Sequence, residues 1–149
     1  MEVIRPNCRA HFQPLDIDFM ISVLGSAGSE SALRKLLSDP GALDLILDEE
    51  ALLRALMDRP DWIAVSSHFY FYVLVRHALA KAGVQDRSVA DYVAELLTEF
   101  SQARRARPPI PPHNQPTDYI VDMLAALPQA NPADQFAVRA HIGNFSLFL

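Results

Sequence analysis

The sequence predicts an all-α fold, an irregular bundle of about six to eight helices around a central apolar helix at residues 66–82. Three observations carry that prediction. Apolar residues recur at spacings of three and four in most segments, the period of one helix face. Gly, Pro, Ser and Asp separate those segments at the positions where helices start and stop. The most apolar run, Phe69–Val75, lies inside a longer stretch bounded by Ser66 and Gly83, and that stretch exceeds an ordinary strand.

Taken in chain order, residues 1–15 show neither a strand nor a helix period and contain Pro6 and Pro14. They read as an N-terminal arm, either loose or laid across the core. Asp16 is positioned to cap a short helix carrying Ile17, Phe19, Met20, Val23 and Leu24, which Gly25-Ser-Ala-Gly28 ends. Ser29 or Ser31 caps the next, with Leu33, Leu36 and Leu37 on one face. Asp39-Pro40-Gly41 punctuates again, Pro40 suiting the first helical position. Leu43, Ile46 and Leu47 then follow in helical register. At Asp48-Glu49-Glu50 the chain either continues that helix or starts another. Carboxylates there favour a fresh N-terminus, because they lie against the exposed N–H groups at the positive end of the helix dipole. Leu52, Leu53, Leu56 and Met57 complete that helix, and Arg59-Pro60 closes it.

The aromatic and β-branched run from Phe69 has strand character taken alone. Its flanks favour a helix: Ser66 or Ser67 offers an N-cap, and Gly83 stands where a C-terminus takes a left-handed residue. Ser88-Val-Ala-Asp91 is a capping-box variant, followed by the stripe Val89, Tyr92, Val93, Leu96, Leu97 and Phe100. These elements make residues 16–103 a helical core domain. Arg104–Pro116 holds three Arg and then five Pro, a composition that excludes helix interior and favours an extended connector. Thr117 caps a helix bearing Tyr119, Ile120, Met123, Leu124 and Leu127. Asn131-Pro132 opens the last one, with Val138, Ile142, Phe145 and Leu149 as its apolar side. This C-terminal pair, 117–149, either packs on the core or starts a further unit, since so short a segment cannot make a core alone. The last stripe runs to Leu149 without a stop signal, so its apolar side is expected to be covered by the core, by a partner or by further chain.

Composition narrows the chemistry. The chain has 149 residues, half of them hydrophobic, with one Cys and a formal net charge of −5. That content suits a folded core rather than disorder. One cysteine rules out a disulfide scaffold or an all-cysteine metal cluster, and the acidic balance argues against nucleic-acid binding. The seven residues of Phe69–Val75 are the longest uninterrupted apolar run, far short of the ~20 that span a membrane. The N-terminus lacks the pattern of a secretory signal, so the expected location is the cytoplasm.

No motif for catalysis or a cofactor stands out, and no catalytic residue is assigned. There is no HExxH, no GxSxG, and no phosphate loop; Gly25-x-x-Gly28 lacks the Lys that would follow. Cys8-x-x-His11 supplies at most half of a zinc site, and His68, His77, His113 and His141 fall at no ligand spacing. No metal site is expected.

Two features remain as candidate sites. His68, Tyr72 and Arg76 recur at i, i+4 and i+8 on the central helix, so they share a stripe. A guanidinium removed from water needs a partner. The stripe therefore reads either as a pocket in which Arg76 holds a small anionic ligand, with Tyr72 and His68 as donors, or as a structural ion pair of Arg76 with Asp91 or Glu95. The second feature is the C-terminal apolar edge, Ile142, Phe145, Phe148 and Leu149, an interaction surface for a protein partner or for another copy of the chain. His141 and Asn144 on the same helix suit packing hydrogen bonds better than ligand binding. Arg104–Pro112 has the composition of a basic-flanked polyproline ligand, although a stiff linker accounts for it as simply. The expected function is a non-enzymatic helical interaction or regulatory module, and the alternative is an anion-binding or enzymatic domain built on the central stripe.

Overall fold

The computed structural model describes residues 4–106, 124, 127–129 and 131–146. Among them the chain is all-helical. A 310 turn, Cys8–His11, precedes α1 (Pro14–Leu24), α2 (Glu30–Leu37), α3 (Pro40–Leu47), α4 (Glu50–Asp58), α5 (Ser67–Lys81) and α6 (Arg87–Ala106). A second 310 turn, Leu127–Gln129, precedes α7 (Pro132–Ser146). The chain divides into two compact units, Arg5–Thr98 and a second formed by Met1–Ile4 with Glu99–Leu149. Of the helix expected after Thr117, Leu124 is helical and exposed and Leu127 opens the second 310 turn; its other residues, and residues 107–116 of the connector, lie outside the described residues. Arg104 and Arg105 continue the backbone of α6.

Local chemistry accounts for most helix ends. Asp39 accepts a hydrogen bond from the Ala42 amide at 2.9 Å, with Pro40 at the first position of α3. Ser66 accepts from the Phe69 amide at 3.1 Å and starts α5. That helix ends at Gly83, whose φ of +86° is open to glycine but strained for other residues. There the Val84 amide donates to the Leu79 carbonyl at 2.8 Å and the Gly83 amide to Ala80 at 3.1 Å, the paired bonds of a Schellman end. In the second unit, Asn131 accepts from the Asp134 amide at 2.9 Å and caps α7.

Three acids expected at helix starts do something else. Asp16 is the third residue of α1, not its cap, because Pro14 begins the helix two residues earlier. Its buried carboxylate accepts from the Gln13 amide at 2.7 Å, the Ser66 amide at 2.7 Å and the Ser66 hydroxyl at 2.6 Å. One side chain thereby ties the starts of α1 and α5. Asp48 follows α3, and Glu49 precedes α4, so the chain does restart there. The Asp48 carboxylate, however, turns toward two arginines rather than the α4 amides. Asp91 is buried inside α6 and makes no box with Ser88, whose amide is taken by Asp86.

The core of the first unit joins Phe19, Met20 and Ile21 of α1, Leu37, Leu47, Leu52 and Leu56 of α2–α4, and Phe69, Tyr72, Val73 and Val75 of α5. Helix α5 lies at its centre, in contact with α4 and with the first 310 turn. Helix α6 meets the core through Ala90 and Ala94, both fully buried, whereas Val89 at the start of its expected stripe is exposed. Residues 5–15 are not loose: Cys8 is fully buried, and Phe12 meets Phe69 and Tyr72 edge-on at 5.4 and 5.8 Å.

Candidate functional site

The α5 stripe is real, but its three members work separately. Arg76, 4% exposed, makes a two-pronged ion pair with Asp48, Nε to Oδ1 at 2.8 Å and Nη2 to Oδ2 at 3.2 Å. Its remaining donors meet the Gln85 carbonyl at 3.1 Å and the Gln85 side-chain oxygen at 3.3 Å. The partner is thus Asp48, not Asp91 or Glu95. One ridge along the stripe, His68 Nε2 lies 3.3 Å from Glu95 Oε1, and its ring stacks on His11 with centroids 4.8 Å apart. Between them, the fully buried Tyr72 carries the Arg9 guanidinium over its ring at 5.6 Å. Its buried hydroxyl is approached by Arg87, without a hydrogen bond of full geometry closing between them.

Arg9, from the segment without periodicity, is the residue that organises this face. Its Nη2 donates to Asp91 Oδ2 at 2.7 Å, its Nε and its backbone amide each donate to Asp91 Oδ1 at 3.1 Å, and its Nη1 reaches Asp44. Arg87 completes the set, its Nη2 donating to Asp48 Oδ2 at 2.7 Å and its Nη1 to the Asp44 carbonyl at 3.1 Å. Three arginines and three aspartates, drawn from the N-terminal segment, α3 and its end, α5 and α6, therefore cancel one another. Paired charges of this kind are costly to break, because removing one partner strands the other in a poorly solvated place.

Ionisation follows from that arrangement. Burial pushes the Asp48 carboxyl up, but Arg76 and Arg87 together outweigh it and hold the group below the ordinary carboxylate value. The hydrogen bonds that Arg9 donates to Asp91 raise it further above its already high value, against burial. Burial raises the Tyr72 hydroxyl, opposed by the charges of Arg9 and Arg87, so the ring stays neutral. Burial, with Glu95 and Asp91 nearby, also raises the Cys8 thiol strongly. It donates to the His68 carbonyl at 3.3 Å and is a packed, protonated group rather than a nucleophile.

His77 bonds to the Leu47 carbonyl at 3.1 Å, tying α5 to α3. Among the described residues no group of three His, Cys, Asp or Glu side chains is arranged to hold a metal ion. None of the described helices is long and apolar enough to cross a membrane. Of the C-terminal candidates, Ile142 is half-buried on α7. Phe145, His141 and Asn144 belong to that helix, but their side chains, like all of His113, Phe148 and Leu149, lie outside the described residues.

Two exposed aromatic residues were not singled out by the sequence patterns. Trp62, in the turn between α4 and α5, is 82% exposed. Phe136 on α7 is 77% exposed, two positions before Val138 and so about 200° around the helix from the expected stripe. The available signal was its isolation: it is the one large apolar side chain of that helix outside the pattern.

No family model matches the chain, and comparison with curated proteins and with solved structures returns no match.

Proposed function

We propose that this protein is a non-enzymatic helical interaction or regulatory module, in which Arg5–Thr98 is a cross-linked scaffold and α7 associates with a second copy of the chain. The observation that carries the reading is Phe136, 77% exposed in the second turn of α7. Large aromatic residues exposed on helices are favoured anchors of protein interfaces. The mutual neutralisation of Arg9, Arg76 and Arg87 by Asp44, Asp48 and Asp91 supports it from the other side, by leaving these cations engaged.

Sedimentation velocity on the full chain and on its Phe136→Ser variant tests the reading. The expected result is a concentration-dependent dimer for the parent and a several-fold weaker one for the variant, with unchanged far-ultraviolet circular dichroism. A parent chain that stays monomeric, or a variant that dimerises equally well, would overturn it.

The anion-binding alternative has one observation in its favour, the buried Tyr72 hydroxyl beside the guanidinium groups of Arg9 and Arg87 with no full hydrogen bond closed to either. It requires one of those groups to release an aspartate. Calorimetric titration with phosphate and acetate, repeated on Arg87→Leu, separates the two. Binding that disappears in the variant supports the alternative, and no binding to either protein counts against it.

A further inference from the structure

The single tryptophan of the chain stands where water reaches most of it. Trp62, in the turn between α4 and α5, is 82% exposed. Indole side chains are among the commonest anchors of protein interfaces. The turn that presents this one is braced. The Ile63 amide donates to the Pro60 carbonyl at 3.0 Å, which puts Asp61 and Trp62 at the centre of a β-turn. The Arg59 guanidinium spans the same stretch. Its Nε donates to the Ile63 carbonyl at 3.2 Å, its Nη1 donates to the Leu56 carbonyl at 3.0 Å, and its Cζ lies 5.2 Å from the centre of the Tyr70 ring on α5. One side chain thereby staples α4, the turn and α5. The backbone under Trp62 is ordered in advance, which lowers the entropic cost of using it as an anchor.

Charge decides what the anchor is suited to hold. Asp58, which ends α4, and Asp61 are both exposed, and the ion pairs of the described residues include neither. Arg59 is the one cation in residues 56–63, and its donors are engaged by the two carbonyls. A guanidinium satisfies both kinds of group at once, because it stacks on an aromatic face and pairs with carboxylate; a compact ammonium does this less well. The chain uses that chemistry internally: Arg9 lies over Tyr72 at 5.6 Å while paired with Asp91 and Asp44. Trp62, Asp58 and Asp61 repeat the set of one aromatic ring and two aspartates, here on the surface. The same two acids oppose a nucleic acid or an anionic lipid surface.

We infer that the 58–63 turn is a docking surface for an arginine-bearing peptide segment of a partner protein, whose guanidinium stacks on Trp62 and is balanced by Asp58 and Asp61. The surface uses no part of α7, so it stands whether or not that helix self-associates. Its charges are exposed, so the association weakens as salt shortens the screening length, which is about 8 Å at physiological ionic strength.

The emission of Trp62, the only indole of the chain, reads the site directly in the full-length protein. The probe is a synthetic peptide alternating arginine and proline, beside its lysine–proline and glutamate–proline counterparts. The expected result is a saturable blue shift with the arginine peptide, several-fold weaker binding of the lysine peptide, and no response to the glutamate peptide. Asp58→Asn combined with Asp61→Asn should weaken the arginine peptide several-fold, and Trp62→Ala should do the same when binding is followed by calorimetry. Phe136→Ser should leave it unchanged. These side chains are exposed, so the fold should survive by circular dichroism; if a variant does not fold, the three peptides on the parent chain still decide the matter. An emission unmoved by the arginine peptide would overturn the inference. So would equal binding of the arginine and lysine peptides, undiminished binding by the folded variants, or a shift produced by phosphatidylserine vesicles and not by the arginine peptide.

Discussion

The two ends of the described chain invert what their sequences suggest. Residues 5–12 carry no helical or strand period, yet Arg9 ties α3 to α6 and Cys8 and Phe12 enter the core. Helix α7 has a regular stripe and a proper cap at Asn131, yet it leaves Phe136 in solvent. Periodicity reports how a segment is wound. Attachment depends on whether its side chains find partners, and Arg9 finds two aspartates where Phe136 faces water.

The largest effect is expected from Asp91→Ala, which leaves the Arg9 guanidinium without its principal partner at a site 4% exposed on the acid's side. Losing one member of a buried pair costs about 3–5 kcal/mol, read as a lower urea midpoint. Asp16→Ala comes next. It removes three hydrogen bonds at the starts of two helices, an expected loss of about 2–3 kcal/mol in the same measurement.

Acid gives a smaller and directional effect. Because Asp48 is held below its ordinary value in the folded chain, the unfolded chain takes up its proton first as the pH falls. Its contribution is complete above the ordinary Asp value of about 3.9 and is lost as the pH drops through the lower folded value. Asp48→Asn should flatten that part of a stability–pH curve, and an unchanged acid slope would contradict the pairing with Arg76 and Arg87. The smallest change in stability belongs to the other end: Phe136→Ser should alter the urea midpoint by less than about 0.5 kcal/mol. A large destabilisation there would mean that Phe136 is packed rather than presented.

The fold class was legible because local signals agree with the helices they delimit. Asp39, Ser66, Gly83 and Asn131 each do at the helix end what their residue type favours. The stripe of His68, Tyr72 and Arg76 was legible as a stripe, but its partners were not. Asp48 and Asp91 stand where capping acids stand, so their sequence positions supplied a sufficient local explanation that the structure replaces with a distant one. Arg9 had no pattern at all; its partner lies 82 residues away, and sequence periodicity carries no information at that range. Trp62 and Phe136 were missed for a related reason: exposure of an isolated aromatic depends on what the rest of the chain leaves uncovered.

The claim on which the rest depends is that the charges around α5 cross-link segments of the chain. A double-mutant cycle on Arg9 and Asp91, with urea denaturation of the parent, Arg9→Ala, Asp91→Ala and the double variant, measures it directly. Contacting charged pairs couple by about 0.5–3 kcal/mol, and a coupling in the upper half of that range is expected here, since Asp91 is buried and accepts several donors from Arg9. Additive losses, with no coupling beyond error, would contradict it.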